Sequence, residues 1–320
     1  MTLTVAIPVW NDLPHLRRAL DRIDRLGIAE RVIVVDDGSD PPLPAGIAAR
    51  PGTVLIRQPR GRGAGAARNL ALARAETPHL LFLDADDEPT PDLPALLAAL
   101  RGREFDFCIF RHADSRAEAW HRWGQMPGDE ALWRAAGCPE TGPPAPVGPR
   151  AAALLAETAN YPWNKIYRTD FLRAHRIACS ETPVHNDIAL HWDSFRAARR
   201  ILAAPHPGVL HRVAPGAGRL TNRRGAERLS VFQPLDAVAA RLSPAGPTPL
   251  LLSFLRFASG LLDWVRGRLP QALRPRFDRR VRHFLIRWMP RPVLDRLIRF
   301  DPPLAMRSAL QIARGGACPA

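Results

Sequence analysis

Leu80-Leu81-Phe82-Leu83-Asp84-Ala85-Asp86-Asp87-Glu88-Pro89 decides how this chain is read. Four apolar residues run straight into three carboxylates within four positions. A short apolar run with an abrupt polar stop has the pattern of a buried strand in a parallel sheet. In open α/β sheets the ligand sits beyond the carboxyl ends of the strands, so this run delivers acids to a ligand-binding edge. Crowded carboxylates repel one another unless something positive lies between them. A hard divalent cation, Mg²⁺ or Mn²⁺, prefers oxygen ligands and shares them with phosphates. In an extended strand Asp84 and Asp86 point the same way, because side chains alternate with period two. The same run also fits a strand followed by an acid-rich helix N-terminus, which the helix dipole favours.

Upstream, the pattern repeats. Leu3 to Val9 reads as a first strand, with Pro8 near its end where no ladder donor is needed. Asn11 or Asp12 is the expected cap of a helix whose apolar residues Leu13, Leu16, Leu20, Ile23 and Leu26 recur at helical spacing, and Gly27 closes it. A second strand, Arg31 to Val35, stops at Asp36-Asp37-Gly38-Ser39-Asp40, and a third runs from Val54 to Arg57. Gly61-Arg62-Gly63-Ala64-Gly65 then leads into a helix, with backbone N–H groups available to a phosphate or simply forming a small-residue loop. It matches neither a Walker A loop nor a dinucleotide fingerprint. Strands alternating with helices predict a mostly parallel sheet with helices on its faces.

Downstream, a helix is expected from Pro91 to Arg101, capped by Thr90, and a strand from Phe105 to Phe110. Pro139 to Pro149 reads as a loop. Tyr161-Pro162-Trp163-Asn164-Lys165-Ile166-Tyr167 holds both tyrosines and the only lysine of a chain that otherwise writes arginine for every base. An ammonium and a guanidinium are not interchangeable where a compact point charge is needed. Helices are expected at Arg168 to His175 and from His185, with Asp187 as an alternative helix cap, and strands near Arg200 to Leu202 and Val209 to Val213. After Gly216 the character changes to arginine-rich amphipathic helices at Leu250 to Val265, Phe277 to Met289 and Val293 to Ala309. These pack on the preceding domain, bind a partner, or lie on an anionic membrane surface.

The 320 residues suffice for one large α/β domain with additions, or two domains, and 46% apolar content supplies a core. The net charge of +14 carries little weight for nucleic acid, because arginine, alanine, proline and glycine are abundant together. Cys108, Cys138, Cys179 and Cys318 form no C-x-x-C pair, which argues against a zinc ribbon and for a reduced, cytoplasmic setting. No signal peptide and no membrane-spanning run is apparent.

Six stretches in order resemble a family 2 glycosyltransferase of the GT-A fold. They are Val5 to Asn11, Val34 to Ser39, Gly65 to Asn69, Phe82 to Asp87, Trp163 to Arg168 and Asn186-Asp187. The resemblance covers about residues 3 to 215. It implies a Rossmann-like α/β domain whose residues 1–110 bind a nucleotide-sugar and whose residues 111–215 bind the acceptor, followed by a helical basic region, 216–320. Pro8, Asp36, Asp37 and Arg68 then lie about the nucleotide, with the Asp pair at the base. Asp84 and Asp86 match a D-x-D motif: Asp86 meets Mn²⁺ or Mg²⁺, and Asp84 holds ribose or a metal-bound water. Trp163, Asn164 and Lys165 fall on the acceptor side, and His211 is placed to add a third metal ligand or to serve structurally. Asp187 matches the catalytic base, although Asn186 replaces the glutamate usual before it. The implied reaction is an inverting, metal-assisted transfer of a sugar from a nucleotide-diphosphate sugar, a UDP-sugar, to a hydroxyl of a glycan, lipid-linked or protein acceptor in cell-surface glycan or polysaccharide synthesis. No nucleic-acid partner is expected, and the C-terminal helices offer peripheral contact with the inner membrane face. Two rival readings are a nucleotidyltransferase, and a basic binding module on a core that no longer catalyses.

Overall fold

A computed structural model describes residues 1–120, 123–213, 224–246 and 248–316. The expected boundary between residues 215 and 216 lies outside the described residues.

The first strand, β1 (Leu3–Val9), is buried along its whole length. Its odd residues Val5, Ile7 and Val9 pack against Leu16, Leu20 and Ile23 of helix α1 (Leu13–Leu26). Ala6 faces the opposite layer, with Ala67 and Ala71 of helix α2 (Ala64–Arg74). A period-two strand buried on both faces is what a continuous apolar run produces. Gly27 closes α1 with a φ of 59°, a left-handed turn that glycine adopts without a Cβ clash.

Around β1 stand β2 (Arg31–Asp36), β3 (Thr53–Arg57) and β4 (His79–Phe82). Four further strands complete the large sheet: β6 (Phe107–Phe110), β8 (Ala145–Pro146), β9 (Lys165–Arg168) and β10 (Ile201–Ala204). Its order is β3-β2-β1-β4-β9-β6-β10-β8. Only β9 and β8 run against the rest, so the expected mostly parallel sheet is present. Ala6 O accepts from Leu83 N, so that side of β1 faces β4. Pro8 repeats the same side two residues on, beyond the β4 pairing, and no donor is missed there.

A small second sheet joins β5 (Glu88–Pro89), β11 (Val209–His211) and β7 (Ala113–Asp114). It ties the end of the acidic run to His211. The helix expected from Pro91 begins instead at Leu93, as α3 (Leu93–Ala99). Thr90 does not cap it conventionally; its hydroxyl donates to Pro207 O at 2.5 Å and holds the chain to the β11 approach. The helices α4 (Pro127–Ala135), α5 (Pro149–Leu155), α6 (Thr169–Ala174) and α7 (Ile188–Ala197) cover the sheet.

The C-terminal region adds α8 (Phe232–Leu242), α9 (Pro249–Arg268), α10 (Arg274–Trp288), α11 (Arg291–Phe300) and α12 (Pro302–Gly316). Helix α8 was not foreseen. The single helix expected over Val293 to Ala309 is broken in two, because Pro302 and Pro303 cannot donate into a preceding helix and Asp301 Oδ1 caps the next one at Leu304 N. These helices share one apolar core with the sheet layer: Trp192 of α7 meets Phe254 of α9 edge-on at 5.1 Å. Helix α7 is therefore clamped between sheet and C-terminal helices. Among the described residues no helix is long and apolar enough to cross a membrane.

Candidate active site

The carboxyl ends of β1, β2 and β4, the start of α2 and the segment before α7 converge on one side of the sheet. Arg68 is the joint between them. It is buried in α2, and its guanidinium donates to Asp84 Oδ1 at 2.5 Å and to Asn186 Oδ1 at 2.8 Å. Burial disfavours its charge, but Asp84, Cys179 and Asp187 outweigh that and raise its pKa. The close approach is permitted by Gly65, where a Cβ would collide with the Ser180 carbonyl oxygen. Three widely separated stretches of sequence thus meet at one side chain.

Strand β4 ends at Phe82, and Asp84 to Asp87 form a turn closed by Asp87 N to Asp84 O at 3.0 Å. Extended-strand alternation therefore does not govern Asp84 and Asp86. The Asp84 side chain keeps 28% of its surface exposed, and Asp86 is partly buried. Asp87, which sequence reading passed over, is buried. Its Oδ1 accepts from His211 Nδ1 at 2.8 Å and from Arg212 N at 3.0 Å, while its Oδ2 is a buried oxygen with no hydrogen-bond partner. Burial raises the pKa of Asp87, against the pull of His211, and repulsion from Asp84 and Asp86 adds to the rise. For His211 burial opposes protonation, but Asp87 prevails and raises its pKa. The third acid of the run was the available signal for this pair.

Among the described residues no three His, Cys, Asp or Glu side chains converge as a ready metal cage. The donor chemistry nevertheless suits a hard divalent ion. Mutually repelling carboxylates flank an unpartnered buried oxygen, and such ions accept few protein ligands when phosphates and water supply the rest. A histidine whose Nδ1 is engaged by a carboxylate keeps Nε2 for a metal, the arrangement seen around metal-ligating histidines.

Asp36 and Asp37 meet different surroundings. Asp36 accepts from Ser39 N at 2.8 Å, Leu43 N at 3.3 Å and Arg57 Nη1 at 2.8 Å. Burial alone would raise its pKa; these hydrogen bonds and Arg57 lower it. Asp37 accepts from Gln58 Nε2 at 2.6 Å, Arg62 N at 2.7 Å and Gly63 N at 2.8 Å. The N–H groups of Arg62 and Gly63 are thus taken by Asp37, which favours the small-residue-loop reading of this stretch over the phosphate one. Gly38, at a φ of 73°, lets this loop lie directly against Gly61.

Asp187 stands at the N-cap of α7 but makes no side-chain capping bond, so the alternative reading as a plain helix cap fails. Burial pushes its carboxyl up to about 6, while Arg68 and Lys165 pull it down and Asp84 adds to the rise. Lys165 is fully buried and donates to Tyr161 O at 2.8 Å and Asn164 Oδ1 at 2.6 Å. Burial brings its pKa down to about 7 against the attraction of Asp187 and Asp129. Trp163 and Asn164 are buried as well. Trp163 stacks on Tyr161 at 4.3 Å and on His211 at 5.2 Å. All three expected acceptor-side side chains therefore point into the protein, beneath His211 and toward the Asp187 segment, as supports for the site floor.

The sequence model for Glycosyl transferase family 2 matches residues 4–159. The pre-mycofactocin glycosyltransferase of Mycobacterium tuberculosis is 39% identical over 89 residues, 27% of this chain and 18% of that protein. The succinoglycan biosynthesis protein ExoW of Rhizobium meliloti is 41% identical over 99 residues, 28% of this chain and 31% of that one. The chain thus matches less than a third of the length of either relative. In structure it is similar to residues 1–349 of Staphylococcus aureus TarS, solved in complex with UDP-GlcNAc, with a TM-score of 0.75 and 16% identity over 98% of this chain and 89% of that one. At that identity the likeness bears on the fold, which is that of the GT-A glycosyltransferases.

Proposed function

Residues 4–159 belong to glycosyl transferase family 2, and on that premise we propose that this protein moves a sugar from a nucleoside diphosphate sugar, a UDP-sugar, to an acceptor hydroxyl with inversion. The process served is glycan or polysaccharide synthesis at the cell surface, a reading supported by the relative named for succinoglycan biosynthesis. One observation carries the reading: Arg68 joins the acidic turn after β4 to the segment bearing Asp187, a carboxyl whose proton affinity is raised to about 6. A general base is most effective with a pKa near the working pH.

Asp187 takes the proton of the acceptor hydroxyl as the oxygen attacks the anomeric carbon. The new C–O bond forms on the face opposite the breaking bond to phosphate, so the anomeric configuration inverts. A glycosidase needs a second carboxyl group to protonate the leaving oxygen; a diphosphate leaves without one when its charge is neutralised. A divalent cation, Mn²⁺ or Mg²⁺, supplies that neutralisation when bound. Asp86 and Asp84 would hold it, with His211 Nε2 as a further ligand oriented by Asp87. Arg68 holds Asp84 and Asn186 in register, and its charge lies beside the donor phosphates. Asp36 and Asp37 shape the pocket for the base by fixing the loops after β2 and before α2, and Pro8 forms its floor. Lys165 and Arg68 keep Asp187 from climbing further, so it remains ionised at neutral pH.

Asp187→Asn is expected to retain nucleotide-sugar binding and to lose transfer by about 10²–10⁴-fold. Single-turnover transfer and calorimetric donor binding measure the two separately. Equal loss of both in a folded protein contradicts the assignment. Release of nucleoside diphosphate, not pyrophosphate, separates this reaction from nucleotidyl transfer.

A further inference from the structure

We propose that the corner between α11 and α12 docks on an anionic lipid bilayer. Five of the nine large exposed apolar side chains among the described residues lie between Ile286 and Leu310. Ile298, Phe300, Met306 and Leu310 are 56%, 67%, 68% and 60% exposed. Met306 and Leu310 lie four residues apart and so share one face of α12. The opposite face, Leu304, Ala305, Ser308 and Gln311, is buried and fixes which side looks outward.

The charges around these side chains are mostly positive. Residues 274–316 hold eleven arginines and three aspartates. Every one of those aspartates already has an arginine: Asp278 with Arg266 at 2.8 Å, Asp295 with Arg291 at 3.0 Å, Asp301 with Arg256 at 2.8 Å. The arginine excess is therefore not balanced within the segment. Arg296, Arg299 and Arg307 are exposed. The guanidinium carbons of Arg296 and Arg299 lie 5.8 and 5.1 Å from the Phe300 ring centre, so the bulkiest apolar group of this corner has two positive charges beside it.

Apolar side chains projecting from a basic helical surface, without a spanning helix, match interfacial binding: the apolar groups enter the acyl boundary and the arginines meet anionic headgroups. A second copy of the chain fits poorly, because two such corners would bring like charges together. A nucleic-acid backbone offers nothing to Ile298, Met306 and Leu310. The inference stands independently of the transferase reading.

The full-length protein is sedimented with vesicles of phosphatidylcholine alone and of phosphatidylcholine mixed with phosphatidylglycerol. Binding to the mixed vesicles and not to the neutral ones is expected. Affinity should fall about fivefold for each of Arg296→Gln and Arg299→Gln. The combined Ile298→Ser, Phe300→Ser, Met306→Ser and Leu310→Ser variant should lose at least about tenfold, with thermal stability and UDP binding unchanged. The arginine variants alone still decide the matter if the combined variant folds poorly. Three results overturn the proposal: no binding to mixed vesicles, equal binding to both compositions, or a dimer in solution that the combined variant dissociates.

Discussion

The carboxylates after β2 and those after β4 follow the same kind of buried apolar strand, yet they meet opposite surroundings. Asp36 and Asp37 receive six hydrogen bonds from the protein itself, including three backbone N–H groups from two loops and a fourth from Gly63. They hold the loops together. Asp84 has Arg68 as a partner, and Asp87 has His211 and Arg212 N, yet Asp84 and Asp86 repel Asp87, whose buried Oδ2 accepts no hydrogen bond. The acids after β2 are structural in their local effect; those after β4 are the ones proposed above to hold a cation. What distinguishes the two strand ends is the unbonded Asp87 oxygen and the repulsion about it, not the sequence pattern that leads up to them.

The transfer defect of Asp187→Asn is the largest effect expected of any single substitution. Next comes stability. Asp37→Ala strands the Arg62 and Gly63 N–H groups and the Gln58 amide, and should cost about 3 kcal/mol in urea denaturation. Asp86→Ala removes a charge that repels Asp87 and should cost less than Asp37→Ala, at most about 1 kcal/mol. Equal destabilisation by the two substitutions would break the distinction between the strand ends. The pH profile sharpens it further. Burial raises Asp187 to about 6, so the base is protonated and inactive below that pH. Transfer should fall about tenfold per pH unit there and level off above it. Asp36, with its pKa lowered, remains ionised through that range and contributes no such limb.

Much of the fold was legible because parallel strands buried on both faces leave continuous apolar runs, as in Val5 to Val9, Val32 to Val35 and Leu80 to Leu83. The ordered motifs pointed to Arg68, Asp84 and Asp187. The bond from Arg68 to Asn186 was not legible, since it spans 118 residues and depends on Gly65 letting α2 approach Ser180. Nor was the reversal of β9 between β4 and β6, which arises from tertiary pairing and has no local signal. The Gly61 to Gly65 stretch left phosphate donors and a plain small-residue loop both open, because free N–H groups look alike in sequence; only the folded chain brings Asp37 to those of Arg62 and Gly63. Asp87 was hidden by treating the acidic run as an extended strand when it turns.

The most direct measurement is calorimetric titration of UDP into the purified protein, with and without Mn²⁺, repeated on Asp86→Ala. Binding that requires the metal and disappears in Asp86→Ala, while Asp86→Ala remains folded, is the predicted result. Metal titration unchanged by Asp86→Ala, or a folded parent protein that binds none of UDP, GDP and dTDP, would contradict the account.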